Sequence, residues 1–516
     1  MKNRLIAICS LHAFSGLVAL AGDATDIGER RELFVEDALI ESVSGDARLE
    51  IHQPQAREIV LDHDAPWEGT GSGYHSVFRD GDKYRMYYKA WHLEVKDGSV
   101  NTGAHPLFCC YAESDDGIRW KKPELGLIEF QGSKANNIVM APETFGGVKS
   151  DPGHPAVFKD DNPACPPEAR YKAIIRASKP HGLLVFQSPD GLRWSLAHPA
   201  PVITEGAFDS QNLAFFDPNI GAYRAYWRIF TAGQTDEANW KPGGIRAIRT
   251  AVSKDLIHWE PWKDVAYADS PAEELYTNGV KPYHRAPHLL LGFPTRYTDR
   301  GWSDAMRALP EAEHRELRAK ATQRYGTAIT DGLFMAGRDG VNFKRWNEAF
   351  LRPGIERDGT WNYGHQYLAW GPVETRSTLE GAPNELSFYA TESYWTGRSS
   401  QVRRHTLRLD GFVSASATAK GGELITKPIT FSGGRLMLNL STSVAGGVRV
   451  EIQDAEGKAI PGYALDDCPP VFGDAHDRVV TWKAGPDVSS LAGKPVRLRF
   501  ALNDADLFAY RFGGKP

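Results

Sequence analysis

Hydrophobic and polar residues alternate with a period of two along many short stretches of this chain, each bounded by Gly, Asp, Asn or Pro. The stretches "KYRMYYKA" at 83, "RYKAIIRA" at 170 and "AYRAYWRI" at 222 are dense in aromatic and aliphatic residues and predict strands rather than helix faces. Weaker copies, "HLLLGFPTRY" at 288 and "ELSFYATESY" at 385, continue the series. Turns such as "FRDGDKY" and "FFDPNIGAY" supply the tight reversals that hairpins need. A second echo follows the strands: "SDDGIRW" at 114, "SPDGLRW" at 188, "SKDLIHW" at 253 and "GRDGVNF" at 337. One unit is thus strand, hairpin, strand, hairpin, strand, aromatic turn. A small sheet of this kind has two faces and cannot bury both alone, so several units packed radially make the economical closure.

Counting units gives innermost strands near 73–79, 154–159, 210–216, 278–284 and 363–370. The expected fold is all-β: a five-bladed β-propeller over 30–413 followed by a C-terminal β-sandwich over 414–516, where short alternating strands with Gly turns take over. In the repeated turn a Ser or Asp side chain is expected to tie down the reversal, and Trp120, Trp194, Trp259 and Phe343 to plug the gaps between blades. "SDAMRALPEAEHRELRAKAT" (303–322) has helical spacing and is placed as an insertion in the fourth blade.

The first residues add a destination. Lys2 and Arg4 precede an apolar run that ends in Ala19 and Ala21, which predicts a signal peptide over 1–21 and a secreted or periplasmic mature chain, with no membrane association after cleavage. No later stretch is apolar for the ~18 residues that a span requires. Cleavage leaves Cys109, Cys110, Cys165 and Cys468, room for one disulfide but not for a disulfide-dense scaffold or a zinc site. Adjacent Cys109 and Cys110 are expected on opposite faces of a strand.

Composition narrows the partners. A formal net charge of -5 removes any bulk electrostatic reason to bind nucleic acid. There is no phosphate-cradling glycine loop before a helix, no HExxH and no paired CxxC, so no cofactor is expected, with a calcium ion in the channel left open. The candidate chemistry lies where the second strand of each blade ends. Counted from the first Tyr of each strand, the fifth residue on is Lys89, Arg176 and Arg228, one cation in the same place in each unit. At the same mouth stand Asp151, Asp209 and Glu273 with Glu274, while Glu392 ends the second strand of the fifth blade. Paired carboxylates across a pocket are what glycosidic hydrolysis uses, so Asp151, Asp209, Glu274 and Glu392 are the catalytic candidates. Trp67, Tyr74, His75, Trp91, Tyr276, Asn278, Trp361, Tyr363 and His365 join the mouth, and aromatic faces beside carboxylates suit sugar rings. The basic residues Lys89, Arg176, Arg228 and Arg296 point to an acidic or sulfated sugar, because a guanidinium fork matches such anions.

Five blades followed by a sandwich resemble glycoside hydrolase family 32, and the propeller half is similar to families 43 and 62. The runs "FVEDALIE", "CYAESDDGIRWKKPELG", "NNIV", "FDSQN" and "LYTN" resemble those of secreted bacterial proteins of the family 32-like kind. The resemblance implies exo-acting hydrolysis of an oligo- or polysaccharide by three acids from different blades. It places the second-blade acid on Asp151, its third-blade counterpart on Asp209, and the general acid on Glu274 or Glu392. The first-blade nucleophile motif of that family is replaced by "GSGYHSVF", with Asp64 and Glu68 only nearby. A non-catalytic carbohydrate-binding propeller is therefore the alternative, and a scaffold for protein partners a second one.

Overall fold

The structure, a computed structural model, describes residues 24–96, 98–236 and 239–514. The expected signal peptide lies outside the described residues. The chain is built almost wholly of antiparallel sheets, and four of these are meanders of the kind that make propeller blades. The first runs through Gly73–Asp80, Lys83–Ala90, Phe108–Ser114 and Ile138–Met140. The second is centred on Val148–Lys159, Tyr171–Lys179 and His181–Ser188. The third takes Leu213–Asp217, Ala222–Thr235 and Trp240–Ser253. The last combines Val373–Thr375, Glu385–Glu392 and Gln401–Arg408 with Gln55–Asp62 from the other end of the chain.

Five equal blades were expected, and here the structure differs. Between the third and last meanders lies a branched sheet of seven strands, from Ala266–Tyr267 to Asn342–Leu351. Its strand Ala328–Gly337 pairs with both Ala286–Gly292 and Thr295–Asp299 on the same side, because "FP" at 293–294 breaks one strand into two. The innermost strand expected at 363–370 also differs. Its first half is turns, with Trp361 and Gln366 at positive φ, while Leu368 bridges Ala390 and Trp370 bridges Ser76 before the regular strand Val373–Thr375 begins. Helices Asp304–Ala308, Ala312–Ala321 and Arg324–Thr327 interrupt the seven-stranded sheet between two of its strands.

The register explains the echo seen in the sequence. The first Tyr of each second strand faces the Ser of the turn that follows: Tyr84 opposite Ser114, Tyr171 opposite Ser188, Tyr223 opposite Ser253. In each turn one carboxylate oxygen accepts two backbone N–H groups, those of Ile118 and Arg119 on Asp116, Leu192 and Arg193 on Asp190, and Ile257 and His258 on Asp255. Asp339 does the same for Val341 and Asn342. Although partial burial works against it, these donors hold the Asp190 carboxyl down at about 2. The turns dock on tyrosines of the preceding sheet: Tyr389 donates to the carbonyl of Gly117 (2.5 Å) and Tyr226 to that of Gly340 (2.8 Å). Trp120, Trp194 and Phe343 stand edge-on to Tyr389, Tyr87 and Tyr226, each across a sheet-to-sheet gap.

At the centre, the Gln211 amide donates to the carbonyls of Tyr74 (3.1 Å), His75 (3.2 Å) and Pro155 (3.0 Å), tying the innermost strands together. An eight-stranded sheet forms a second core around Leu436, Leu438, Val450 and Phe500. It was expected from residues 414–516 alone, yet Glu32–Leu33, Ile40–Gly45 and Arg48–Ile51 also belong to it. Strands from 32–51 and from 413–513 therefore share one sheet, joined to the rest through a buried cluster in which Phe412 stacks on Phe334 at 5.2 Å. All four described cysteines are free, and neighbours Cys109 and Cys110 enter two different cores. Among the described residues no helix is long and apolar enough to cross a membrane.

Candidate functional site

A cavity of about 610 Å³ opens where the second strands end. Lys89, Arg176 and Arg228 all line it, so the alignment of three strands on their first Tyr picked out three residues of one cavity. Period-two alternation explains this, since equal steps from a shared register put side chains on the same end and face of each sheet. Arg246, Arg324, Tyr325, Tyr394, Trp395 and His154 also line the cavity and were not picked out as site residues from the sequence. Arg246 comes from the third strand of its blade, and Arg324 and Tyr325 from the last turn of the helical insertion. Tyr394 and Trp395 follow Glu392 in "TESYW", and a turn with Ser393 and Trp395 at positive φ separates them from the strand. Phe230 and the half-exposed Trp240, from the long hairpin of the third sheet, complete the rim.

The interior is a cluster of tyrosines threaded by cations. Tyr74, Tyr276, Tyr363, Tyr367 and Tyr394 pack together, with Tyr276 stacked on Tyr367 at 5.6 Å. Lys89 donates to the Tyr394 hydroxyl (2.8 Å) and lies over the rings of Tyr74, Trp91 and Tyr394 at 4.9, 4.8 and 5.2 Å. Burial, only partly offset by Asp151, pulls its ammonium down to about 7. His154 is kept neutral first by burial and then by Lys89, Arg176 and Arg228, so it offers no further charge. Arg228 and Arg246 sit over the Tyr276 ring, at 4.5 and 5.4 Å. Tyr363 donates to the Tyr276 hydroxyl at 2.9 Å. Burial pushes the Tyr276 phenol up, but Arg228, the Tyr363 hydrogen bond and Arg246 outweigh it and bring the phenol down to about 8.

Three of the four acids lie against arginines of the cavity wall. Asp209 lines the cavity but is bound by Arg228. Asp151 accepts from Arg176 (3.2 Å), and Glu274 is paired with Arg246. All three are counter-ions at the back or edge of the cationic wall, not a free pair facing one another. Glu392 is held away from the cavity by Arg357 and Arg403. Burial opposes its ionisation, yet those two partners keep it at about 2, so it is a permanent anion and no proton donor near neutrality. Among the described residues no cluster of His, Cys, Asp or Glu side chains fit to hold a metal forms.

The remaining candidates divide cleanly. Tyr74, Trp91, Tyr276 and Tyr363 line the cavity. Trp67 donates to Asn137 (2.7 Å) between the first strands, and His75 pairs ring to ring with His63. Asn278 caps the backbone of Val280. His365 accepts from the Trp361 N–H (2.9 Å) and, through burial, its imidazole falls to about 3. Arg296 is locked by Asp331 and Glu273. Trp67, His75, Asn278, His365 and Arg296 are framework. Glu68, the nearby substitute in the first blade, is buried under Lys122 and Tyr88 and is also outside the cavity.

Sheets arranged as in a propeller, with a cavity walled by arginines and tyrosines at the strand ends, define the chain as an all-β protein with a cationic, aromatic cavity. No protein-family model matches the chain, and no curated protein does. Solved structures similar to it include a thermostable family-43 glycoside hydrolase, with 12% identity over 68% of this chain and 94% of that one, at a TM-score of 0.40. A glycosyl hydrolase from Bacteroides ovatus shows 13% identity over 68% and 93%, at 0.37. A structure from the GH130 family of mannoside phosphorylases and glycoside hydrolases shows 12% over 70% and 96%, also at 0.37. At this degree of similarity nothing about the site follows from them.

Proposed function

We propose that the chain is a glycan-cleaving enzyme that takes an anionic sugar into the cavity at the strand ends. The observation that carries this reading is the wall itself: Lys89, Arg176, Arg228, Arg246 and Arg324 gather around aromatic faces, and among the described residues Asp209 is the one carboxylate that lines it. Arginine forks suit sugar carboxylates and sulfates, and the rings suit the apolar faces of pyranoses. A sandwich behind the propeller-like sheets, the glycoside hydrolase kinship of the family 32 type, attack from a chain end and export of the mature protein belong to the same reading. A hydrolytic route would draw on Asp209, with Asp151 or Glu274 released from its arginine.

The test is a comparison of chain shortening and binding on uronate-containing, sulfated and neutral polysaccharides. Arg228→Ala is expected to weaken binding of the anionic glycan by about 2 kcal/mol, roughly thirtyfold, with little change for the neutral one. Equal losses on both would remove the anionic assignment. Binding with no shortening of any chain would favour the purely carbohydrate-binding alternative.

A further inference from the structure

Hydrolysis asks for two carboxylates facing one bond, and among the described residues the cavity presents one, already engaged by Arg228. What it presents in excess is cationic charge around a phenol. Arg228 is buried to 3% exposure, and among the described residues its Nε and Nη1 have no hydrogen-bond partner; Arg246 likewise leaves Nε unpartnered. Both guanidinium groups lie within 6 Å of the Tyr276 ring, whose hydroxyl is oriented by Tyr363. Each guanidinium keeps one carboxylate partner, Asp209 for Arg228 and Glu274 for Arg246, and still has N–H groups to spare. Spare cationic donors beside an oriented phenol are suited to removing a proton α to a carboxylate, because they neutralise the carboxylate and hold the charge that develops on it.

We infer that Tyr276 is the catalytic base of a β-elimination that cleaves a (1→4)-linked uronate glycan, with the sugar carboxylate held by Arg228 and Arg246. This rests on the anionic-glycan reading above and adds the bond-breaking chemistry to it. The Tyr276 phenolate takes the proton from C5 of the uronate. The C5–H electron pair becomes the C4–C5 double bond, the C4–O4 bond breaks, and its electrons leave on O4. The same Tyr276 phenol then passes its proton to O4, so that no water, oxidant or further acid is consumed. One residue can serve both atoms only when H5 and O4 lie on the same face of the ring. That is the glucuronate arrangement, and galacturonate has the opposite one. The depressed Tyr276 phenol, at about 8, makes the phenolate accessible in mildly alkaline solution.

The test uses the mature protein with (1→4)-linked glucuronan, polygalacturonate and a neutral β-glucan, following ultraviolet absorbance of the unsaturated uronate and incorporation of oxygen from labelled water. Absorbance is expected with glucuronan alone, rising with pH through about 8. Tyr276→Phe is expected to abolish it, by roughly a hundredfold or more, while glucuronan binding persists. Tyr363→Phe, which removes the hydrogen bond to the Tyr276 hydroxyl, is expected to move the pH profile upward without abolishing activity. Glucuronan shortened with labelled oxygen at the new reducing end and no absorbance would overturn elimination while leaving the anionic-glycan reading intact. Absorbance retained by Tyr276→Phe would remove Tyr276 from the base role. Failure to bind any anionic glycan would defeat the underlying reading instead.

Discussion

At the scale of single residues, the contrast between Glu392 and Tyr276 separates framework from chemistry. Both are buried ionisable groups beside arginines, yet of the two only Tyr276 lines the cavity. Glu392 lies in a fork of Arg357 and Arg403, and its carboxyl is depressed to about 2 from an ordinary 4.5. A group with a lowered folded-state pKa contributes stability above its unfolded value and loses it as pH falls toward the folded one. Glu392→Gln is therefore expected to cost about 1.5 kcal/mol at pH 7, because it takes the shared carboxylate from the exposed Arg357 and the part-buried Arg403. The deficit relative to the parent should shrink between pH 4.5 and about 2, as read by urea denaturation across that range. Glycan binding should be unchanged in the folded fraction. An unaltered stability at pH 7 would show that the two arginines find other partners.

At the scale of elements, the aromatic turns account for what was legible in the chain and what was not. Gly191 has φ +78°, and a Cβ there would meet the Tyr87 hydroxyl at 2.5 Å and the Arg85 Nη1 at 2.8 Å, both from the preceding sheet. Gly191→Ala is expected to destabilise by about 2 kcal/mol, lowering the urea midpoint, since it combines left-handed backbone strain with a crowded contact. The Asp-Gly pair and the following aromatic were readable because the same local geometry recurs at 114, 188 and 337, and the register that it sets carried Lys89, Arg176 and Arg228 to one mouth. The third copy reads "KDLIH", with Leu256 at φ +67° in the glycine position, its side chain packed in the core between sheets. Tertiary burial there replaces local preference. The same limit hid the rest of the site. Arg246, Arg324, Tyr394 and Trp395 come from a third strand, a helical insertion and a strand-end turn, none of which repeats from unit to unit. The pairing of the acids was hidden for a related reason: their position near the mouth was visible, but which arginine would claim each of them was a matter of three-dimensional pairing. The seven-stranded sheet was counted as an ordinary unit because the Phe293–Pro294 break does not itself announce that one strand will become two.

At the scale of the whole molecule, Phe412 marks the joint between the meander sheets and the eight-stranded sheet. It is fully buried and contacts Phe293, Phe334, Phe350 and Phe388. Phe412→Ala should cost about 4 kcal/mol. With strands 32–51 sewn into the sheet of 413–513, thermal unfolding should remain one calorimetric transition shifted downward; two resolved transitions would show that the halves fold independently. The pairing of Gln55–Asp62 with Gln401–Arg408 has a consequence for how the protein is made. Asp62 and its partner Gln401 are 339 residues apart, which a ribosome covers in on the order of half a minute. Throughout that interval the strand that will complete the final meander has no neighbour, and the waiting edge is open to any passing β-segment. Newborn chains thus remain vulnerable to mispairing until residues 401–408 have emerged, and overproduction faster than this stitch can form should divert them into aggregates.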